Sequence, residues 1–174
     1  MDAFDVLGLA PDFDLDAKQL EQRYRDLQRA LHPDKFAQAS ASERRASLSR
    51  AVSVNDAYRA LRDDLKRAEL VLARFDEGNA ERAQKADPEL LMEVMELREQ
   101  LGEAKASGDV SMRERLTAEV SDKDRATRDA LRAAFARFSR GETNAREEAA
   151  RSLSRLRYYR RFLDEVAVIE DTQD

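Results

Sequence analysis

Apolar residues recur along this chain at spacings of four and three, the rhythm of helices buried on one side. Leu20, Tyr24, Leu27 and Leu31 follow it, as do Val54, Tyr58, Leu61 and Leu65, and then Leu90, Val94, Leu97 and Leu101. The first set predicts a helix over 16–31, capped by Asp14 or Asp16. It should stop at His32, because Pro33 disfavours helical backbone in the residue before it and has no N–H to donate. A loop to residue 41 follows, then a second helix over 42–62, opened by Ser42 with Glu43. Two matched seams joined by a short loop predict an antiparallel helical hairpin. A short apolar piece, Phe4 to Leu9, should pack across it.

Residues 76–87 are polar and predict a connection between two domains, 1–75 and 88–174. Asp87-Pro88 reads as a helix start, a capping side chain followed by Pro at the first helical position. That helix should reach residue 105, where Ser107-Gly108-Asp109 breaks it. The next is expected over 110–139, ended by Gly141, and the last from Thr143 or Asn144 to residue 169. Three long helices with short connections predict an up-down-up bundle. On the last helix, Ala145, Ala149, Ser152, Leu156, Leu163 and Ala167 share the expected buried face. Tyr158 falls opposite Leu156, with Phe162 on its side. The expected fold class is all-α: a helical hairpin with a short helix, followed by a three-helix bundle.

Composition agrees and narrows the chemistry. Of 174 residues only five are Gly and three Pro, well under the usual ~12%, too few for a turn-rich β fold. The absence of Cys removes disulfides, thiol catalysis and thiolate metal sites. A single His argues against a His-based metal site. No metal and no cofactor are expected. No apolar run approaches the ~20 residues that span a bilayer, and Met1-Asp2-Ala3-Phe4-Asp5 lacks a basic signal-peptide start. A cytoplasmic protein is the expectation. The net charge is −5: neutral over 1–75, acidic over 76–104 and near neutral beyond. That distribution argues against a backbone-driven nucleic-acid binder.

The residues that carry candidate chemistry cluster at the hairpin's turn. His32-Pro33-Asp34 follows a helix whose outer face carries Lys18, Gln22, Arg25 and Arg29, with Arg23 off the stripe's centre. Such a tripeptide also serves as ordinary helix punctuation. Here, however, Pro33 stiffens the turn and so lowers the ordering cost of binding. Asp34 becomes a carboxylate in a fixed place, suited to a charge-assisted bond with an Arg. The basic stripe attracts an acidic surface and raises the on-rate. An acid/base pair of His32 and Asp34 acting as an enzyme has no positioned nucleophile to support it. The helix from Pro88 carries a second apolar face, Leu91, Met92 and Met95 beside Glu96 and Glu99. A bundle helix needs only one seam, so the extra face either packs on another element or receives a partner.

The tripeptide, its position, and Val54-Asn55-Asp56-Ala57-Tyr58-Arg59-Ala60-Leu61 on the second helix together resemble the J domain, the module that stimulates ATP hydrolysis by Hsp70-class chaperones. Further stretches are similar to the HscB-type J-domain co-chaperones of bacterial iron–sulfur cluster assembly. They are Met1-Asp2-Ala3-Phe4, the segment from Tyr24 to Phe36, Arg67-Ala68-Glu69, and Leu91-Met92-Glu93-Val94-Met95-Glu96-Leu97-Arg98-Glu99. The resemblance implies a co-chaperone and no enzyme. It implies binding to the specialised Hsp70 HscA through His32, Pro33, Asp34, Lys18, Arg25 and Arg29. It also implies binding to the cluster scaffold IscU through Leu91, Met92, Met95, Glu96, Glu99 and Tyr158. The family usually carries Leu at the place of Met95 and Phe at that of Tyr158, and the Tyr hydroxyl must find water or a partner. The Cys-rich N-terminal extension of some eukaryotic relatives is not in this sequence, which fits a bacterial member. A monomer or weak dimer is expected. The alternative is a J-domain adaptor serving an Hsp70 with a different client.

Overall fold

The computed structural model describes residues 2–74, 87–142 and 144–171. They form seven α-helices: α1 Ala3–Leu7, α2 Ala17–Ala30, α3 Ala41–Arg62, α4 Asp64–Arg74, α5 Pro88–Ser107, α6 Val110–Phe138 and α7 Ala145–Asp171. A 3-10 turn, Pro33–Phe36, lies between α2 and α3, and no strand occurs among the described residues. The chain divides into two compact units, Met1–Phe75 and Asp76–Asp174. The expected connection over 76–87 lies, apart from Asp87, outside the described residues.

In the first unit α2 and α3 pack as the expected hairpin, with α1 across it. Asp16 caps α2, while Leu20 is buried and Tyr24, Leu27 and Leu31 are half-buried against α3. α3 opens one step earlier than expected. Ser40 is its cap and Glu43 reaches back to the Ser40 N–H, a reciprocal capping box, so Ser42 lies inside the helix. The stretch 33–36, expected as plain loop, makes a helical turn of its own.

A larger difference is α4. The helix expected over 42–62 does end at Arg62, but its seam was expected to carry on to Leu65 and no separate helix was expected over 63–75. Instead Asp63 is extended and its carboxylate accepts from the N–H groups of Leu65 and Lys66, which starts a new helix axis. Leu65, Ala68 and Val71 bury its inner face. Arg67 ties that helix down by donating to the carbonyls of Phe13 (2.7 Å) and Leu61 (2.6 Å). α1 ends on Gly8 in the left-handed conformation. A side chain there would be strained, and its Cβ would fall 2.5 Å from the Arg23 guanidinium. Arg23, off the stripe's centre in the sequence, thus has structural work: it donates to the carbonyls of Leu7 and Gly8.

In the second unit Asp87 caps α5, Pro88 takes the first helical position, and Gly108 ends the helix in the left-handed conformation, as the Asp-Pro and Gly signals predict. α6 and α7 pair along their length, and α5 packs on α6, giving the up-down-up order. The buried line of α7 differs from the expected one. Ala145, Ala149 and Leu156 are buried as expected, but Ser152 and Leu163 are half-buried and Ala167 is exposed. The inner face instead runs through Leu153, Tyr159, Phe162, Val166 and Ile169. α7 packs along α6 and reaches α5 through the side chains of Arg155, Tyr158 and Tyr159, and its buried line shifts sideways beyond Leu156. Phe162 is core.

Candidate functional site

Local backbone chemistry builds the turn between α2 and α3. His32 caps the 3-10 turn, its Nδ1 accepting the Asp34 N–H at 3.3 Å. That bond uses the lone pair on Nδ1 and leaves Nε2–H as the donor of the neutral ring. Pro33 holds the first position of the turn, and the Lys35 N–H closes it on the His32 carbonyl at 3.0 Å. The Asp34 side chain is 89% exposed, with its carboxylate 3.4 Å from the His32 ring. The result is a short turn closed by its own backbone bonds, with an exposed carboxylate at its tip.

The hairpin beneath is braced by polar contacts that periodicity does not reveal. Ser47, buried on α3, donates to the Leu31 carbonyl at 3.2 Å and pins the end of α2. Asn55 accepts from the Tyr24 hydroxyl (3.0 Å) and from Gln28 (2.6 Å). The Tyr24 and Tyr58 rings stack with centroids 4.1 Å apart. Lys18, Arg25 and Arg29 all stand exposed along α2. Arg25 pairs with Glu21 one turn away, which screens part of its charge and leaves Lys18 and Arg29 as the stronger ends of the stripe. On α3, Leu48 and Val52 are large apolar side chains open to solvent.

The second unit holds the other candidate. On α5, Leu97, Leu101 and Ala104 are buried, and Leu90 and Val94 half-buried. Leu91, Met92 and Met95 are 55, 71 and 61% exposed, and Glu96 and Glu99 are exposed beside them. At ~100° per residue the five span one side of the helix, opposite its core seam. Leaving such a patch open to water adds nothing to stability, so it is a candidate contact surface. Tyr158 is placed differently from the other five. It is half-buried at the edge between α5 and α7, where its hydroxyl donates to the Val94 carbonyl at 3.2 Å. That carbonyl is the partner its hydroxyl required. Burial pushes its pKa up, the Arg98 charge opposes this, and Glu165 adds to the rise.

Behind the patch lies a group of charges absent from the sequence reading. Glu93 accepts from Lys123 of α6 (3.0 Å) and from the Tyr159 hydroxyl (3.0 Å) and Arg155 (3.3 Å) of α7. Arg155 also meets the capping carboxylate of Asp87 at 2.9 Å and Glu89 at 3.5 Å. Burial alone lowers the Lys123 pKa, but Glu119 and Glu93 more than reverse it, so it stands above the usual ammonium value. Burial, reinforced by Glu93, holds the Tyr159 hydroxyl above its ordinary pKa. Glu93 falls beside the core seam, nearer to it than the exposed Glu96 and Glu99, but its spacing does not name the Lys, Arg and Tyr that meet it from other helices. Among the described residues no cluster of three or more His, Cys, Asp or Glu is placed to hold a metal. No helix among them is long and apolar enough to cross a membrane.

Residues 2–70 match the DnaJ domain family, and residues 86–167 match the family described as the HSCB C-terminal oligomerisation domain. The chain is 43% identical over 110 residues to the co-chaperone protein HscB homologue of Shewanella halifaxensis, a stretch covering 63% of each chain. It is equally identical over 110 residues to the homologue of Vibrio atlanticus, covering 63% of this chain and 64% of that one. The matched stretch thus spans a little under two thirds of these curated relatives. Among solved structures, the chaperone HscB of Vibrio cholerae superposes with a TM-score of 0.78 at 32% identity, over 99% of both chains. The human co-chaperone HscB superposes with a TM-score of 0.81 at 29% identity, over 98% of this chain and 82% of that one.

Proposed function

This chain belongs to the HscB family of J-domain co-chaperones, and from that premise we propose that it couples a specialised Hsp70, HscA, to the iron–sulfur scaffold IscU. In this reading the first unit stimulates the chaperone's ATPase and the second captures the scaffold. The observation that carries the second half is the open face of Leu91, Met92 and Met95, edged by Glu96 and Glu99 and turned away from the core of its own unit.

The steps follow from the two surfaces. Met side chains adapt to a partner's contour, and the flanking carboxylates favour a basic rim on the scaffold. The stripe of Lys18, Arg25 and Arg29 steers the first unit onto an acidic face of the chaperone. Asp34, held by the Pro33 turn and the His32 cap, then meets an Arg of the chaperone without first having to be ordered. That contact favours the hydrolysis-competent state of the ATP-bound chaperone, and hydrolysis tightens its hold on the delivered scaffold. The chain performs no bond chemistry of its own in this scheme.

The test uses purified HscA, IscU and the full chain. Steady-state ATPase activity of HscA should rise on adding the chain, and rise further with IscU present. IscU without chaperone should be retained on the immobilised chain. Stimulation without IscU capture would move the reading to a J-domain adaptor with another client. Neither effect would refute it.

A further inference from the structure

The half of α5 that presents the open patch is held on its unit in a different way from the other half. The C-terminal half is anchored by apolar burial, through Leu97, Leu101 and Ala104. In the N-terminal half the two seam residues, Leu90 and Val94, are only half-buried. Polar bonds from the neighbouring helices supply the remaining hold. Arg155 of α7 bridges the capping Asp87 and Glu93 at 2.9 and 3.3 Å. Tyr159 and Lys123 close on the same Glu93, both at 3.0 Å, and Tyr158 reaches the Val94 carbonyl. The Asp87 and Glu93 side chains are 19 and 18% exposed and Arg155 27%, so solvent screens these pairs only in part.

We propose that Arg155 is a positioning residue for scaffold capture, a latch that joins two carboxylates about 9 Å of helix rise apart on α5 and so fixes the half-helix carrying Leu91, Met92 and Met95. This rests on the functional reading of the patch given above. The polar bonds of Arg155 run to Asp87, Glu89 and Glu93 rather than to Leu91, Met92 or Met95, so it acts on that face through the placement of α5. Its forked guanidinium fits this geometry, since one nitrogen serves the cap at residue 87 and the other serves Glu93, a turn and a half further on. With the latch closed the patch meets its partner already ordered. With it open, ordering the half-helix becomes part of the binding cost.

Three full-length variants test this: Arg155→Met, Arg155→Lys, and Glu93→Gln as a second route to the same bond. Hydrogen exchange is read first, with no partner present. In Arg155→Met the amides of residues 91–96 should exchange about tenfold faster or more, while those of 128–135 in α6 stay unchanged. Titration with IscU should then show affinity about tenfold weaker. Glu93→Gln should follow in the same direction. Arg155→Lys, which keeps the charge but can make one contact in place of two, should recover part of the affinity and no more, a partial rescue that loss of bulk alone would not give. Unchanged exchange at 91–96 in Arg155→Met overturns the latch. Faster exchange with unchanged affinity overturns its role in capture. A wild-type chain that binds no IscU overturns the functional reading, and with it the purpose assigned to Arg155. A variant that loses its helical signal altogether would overturn the claim that the latch acts on one half-helix.

Discussion

The turn at His32–Asp34 and the patch at Leu91–Met95 are both open to solvent, yet they are made by opposite means. The turn is assembled by neighbours in sequence: Pro33 sets the backbone, the His32 ring caps Asp34, and the first turn closes on the His32 carbonyl. The patch is held in place by residues 30 to 68 positions away, Lys123, Arg155, Tyr158 and Tyr159. A site of the first kind keeps its geometry as long as its own few residues are intact. A site of the second kind inherits every weakness in the packing behind it. The difference predicts that damage to the core of the second unit will silence the patch and spare the turn.

The strongest way to break that comparison is Phe162→Ala. Phe162 is buried in the core of the second unit, and deleting a buried Phe side chain typically costs about 3–5 kcal/mol. The expected result is early denaturant unfolding of α5–α7 and loss of IscU capture, with stimulation of the HscA ATPase by the first unit retained. Equal loss of both activities would show that the two regions are not separable in this way. Next in size is Asp34→Asn. If the exposed carboxylate is a binding hot spot, its loss should cost about 2 kcal/mol, roughly 30-fold in affinity for the chaperone. Because the turn is local, circular dichroism and IscU binding should not change. Equal ATPase stimulation by wild type and variant removes the role assigned to Asp34.

Smaller again is the pair Leu91→Ala with Met95→Ala. Both side chains are exposed in the free chain, so removing them leaves no cavity and should not lower stability. Each gives up part of its contact with a partner, together about 1.5 kcal/mol, or roughly tenfold in IscU affinity. Unchanged affinity in a titration would exclude this face as the capture site.

The same contrast explains what the sequence discloses. Helix starts written in two or three adjacent residues were legible: Asp16, Asp87-Pro88 and the Gly108 stop all stand as the local rules predict. Spacing marked Leu91, Met92 and Met95 as a second apolar face but left open whether it packs on another element or meets a partner, and the structure leaves it open to solvent. The end of α3 at residue 62 was legible, but α4 was not, because Leu65 was counted on the seam of α3 and only the bonds of the Asp63 carboxylate to the next turn mark the new axis. The inner face of α7 was misplaced beyond Leu156. Period counting assumes a line that stays on one side, and the buried line of α7, stepping by three from Leu153 to Phe162, drifts around the helix. The pairing of Glu93 with Arg155 was not legible, since the partners come from different helices. The Tyr158 hydroxyl was expected to need water or a partner, and the carbonyl that meets it, that of Val94, comes from another helix.

The weakest effect probes the second unit's electrostatics away from the patch. Arg137 near the end of α6 pairs with Glu148 at the start of α7, at the short connection between the two long helices. The hydrogen bond from Arg137, with its charge, holds the Glu148 carboxyl below its ordinary value of 4.5. A carboxylate lowered by folding contributes stability that is present above its unfolded pKa and lost as pH falls through the folded one. Both side chains are more than a third exposed, so the contribution is modest and screened by salt. Wild type should therefore melt slightly above Arg137→Met near neutral pH, and the gap should close as the pH falls through and below 4.5. The chaperone-facing turn shares no group with this pair, so ATPase stimulation near neutral pH should not distinguish the two proteins. A melting gap that persists undiminished at low pH would assign the contribution of Arg137 to packing of its aliphatic stem rather than to charge.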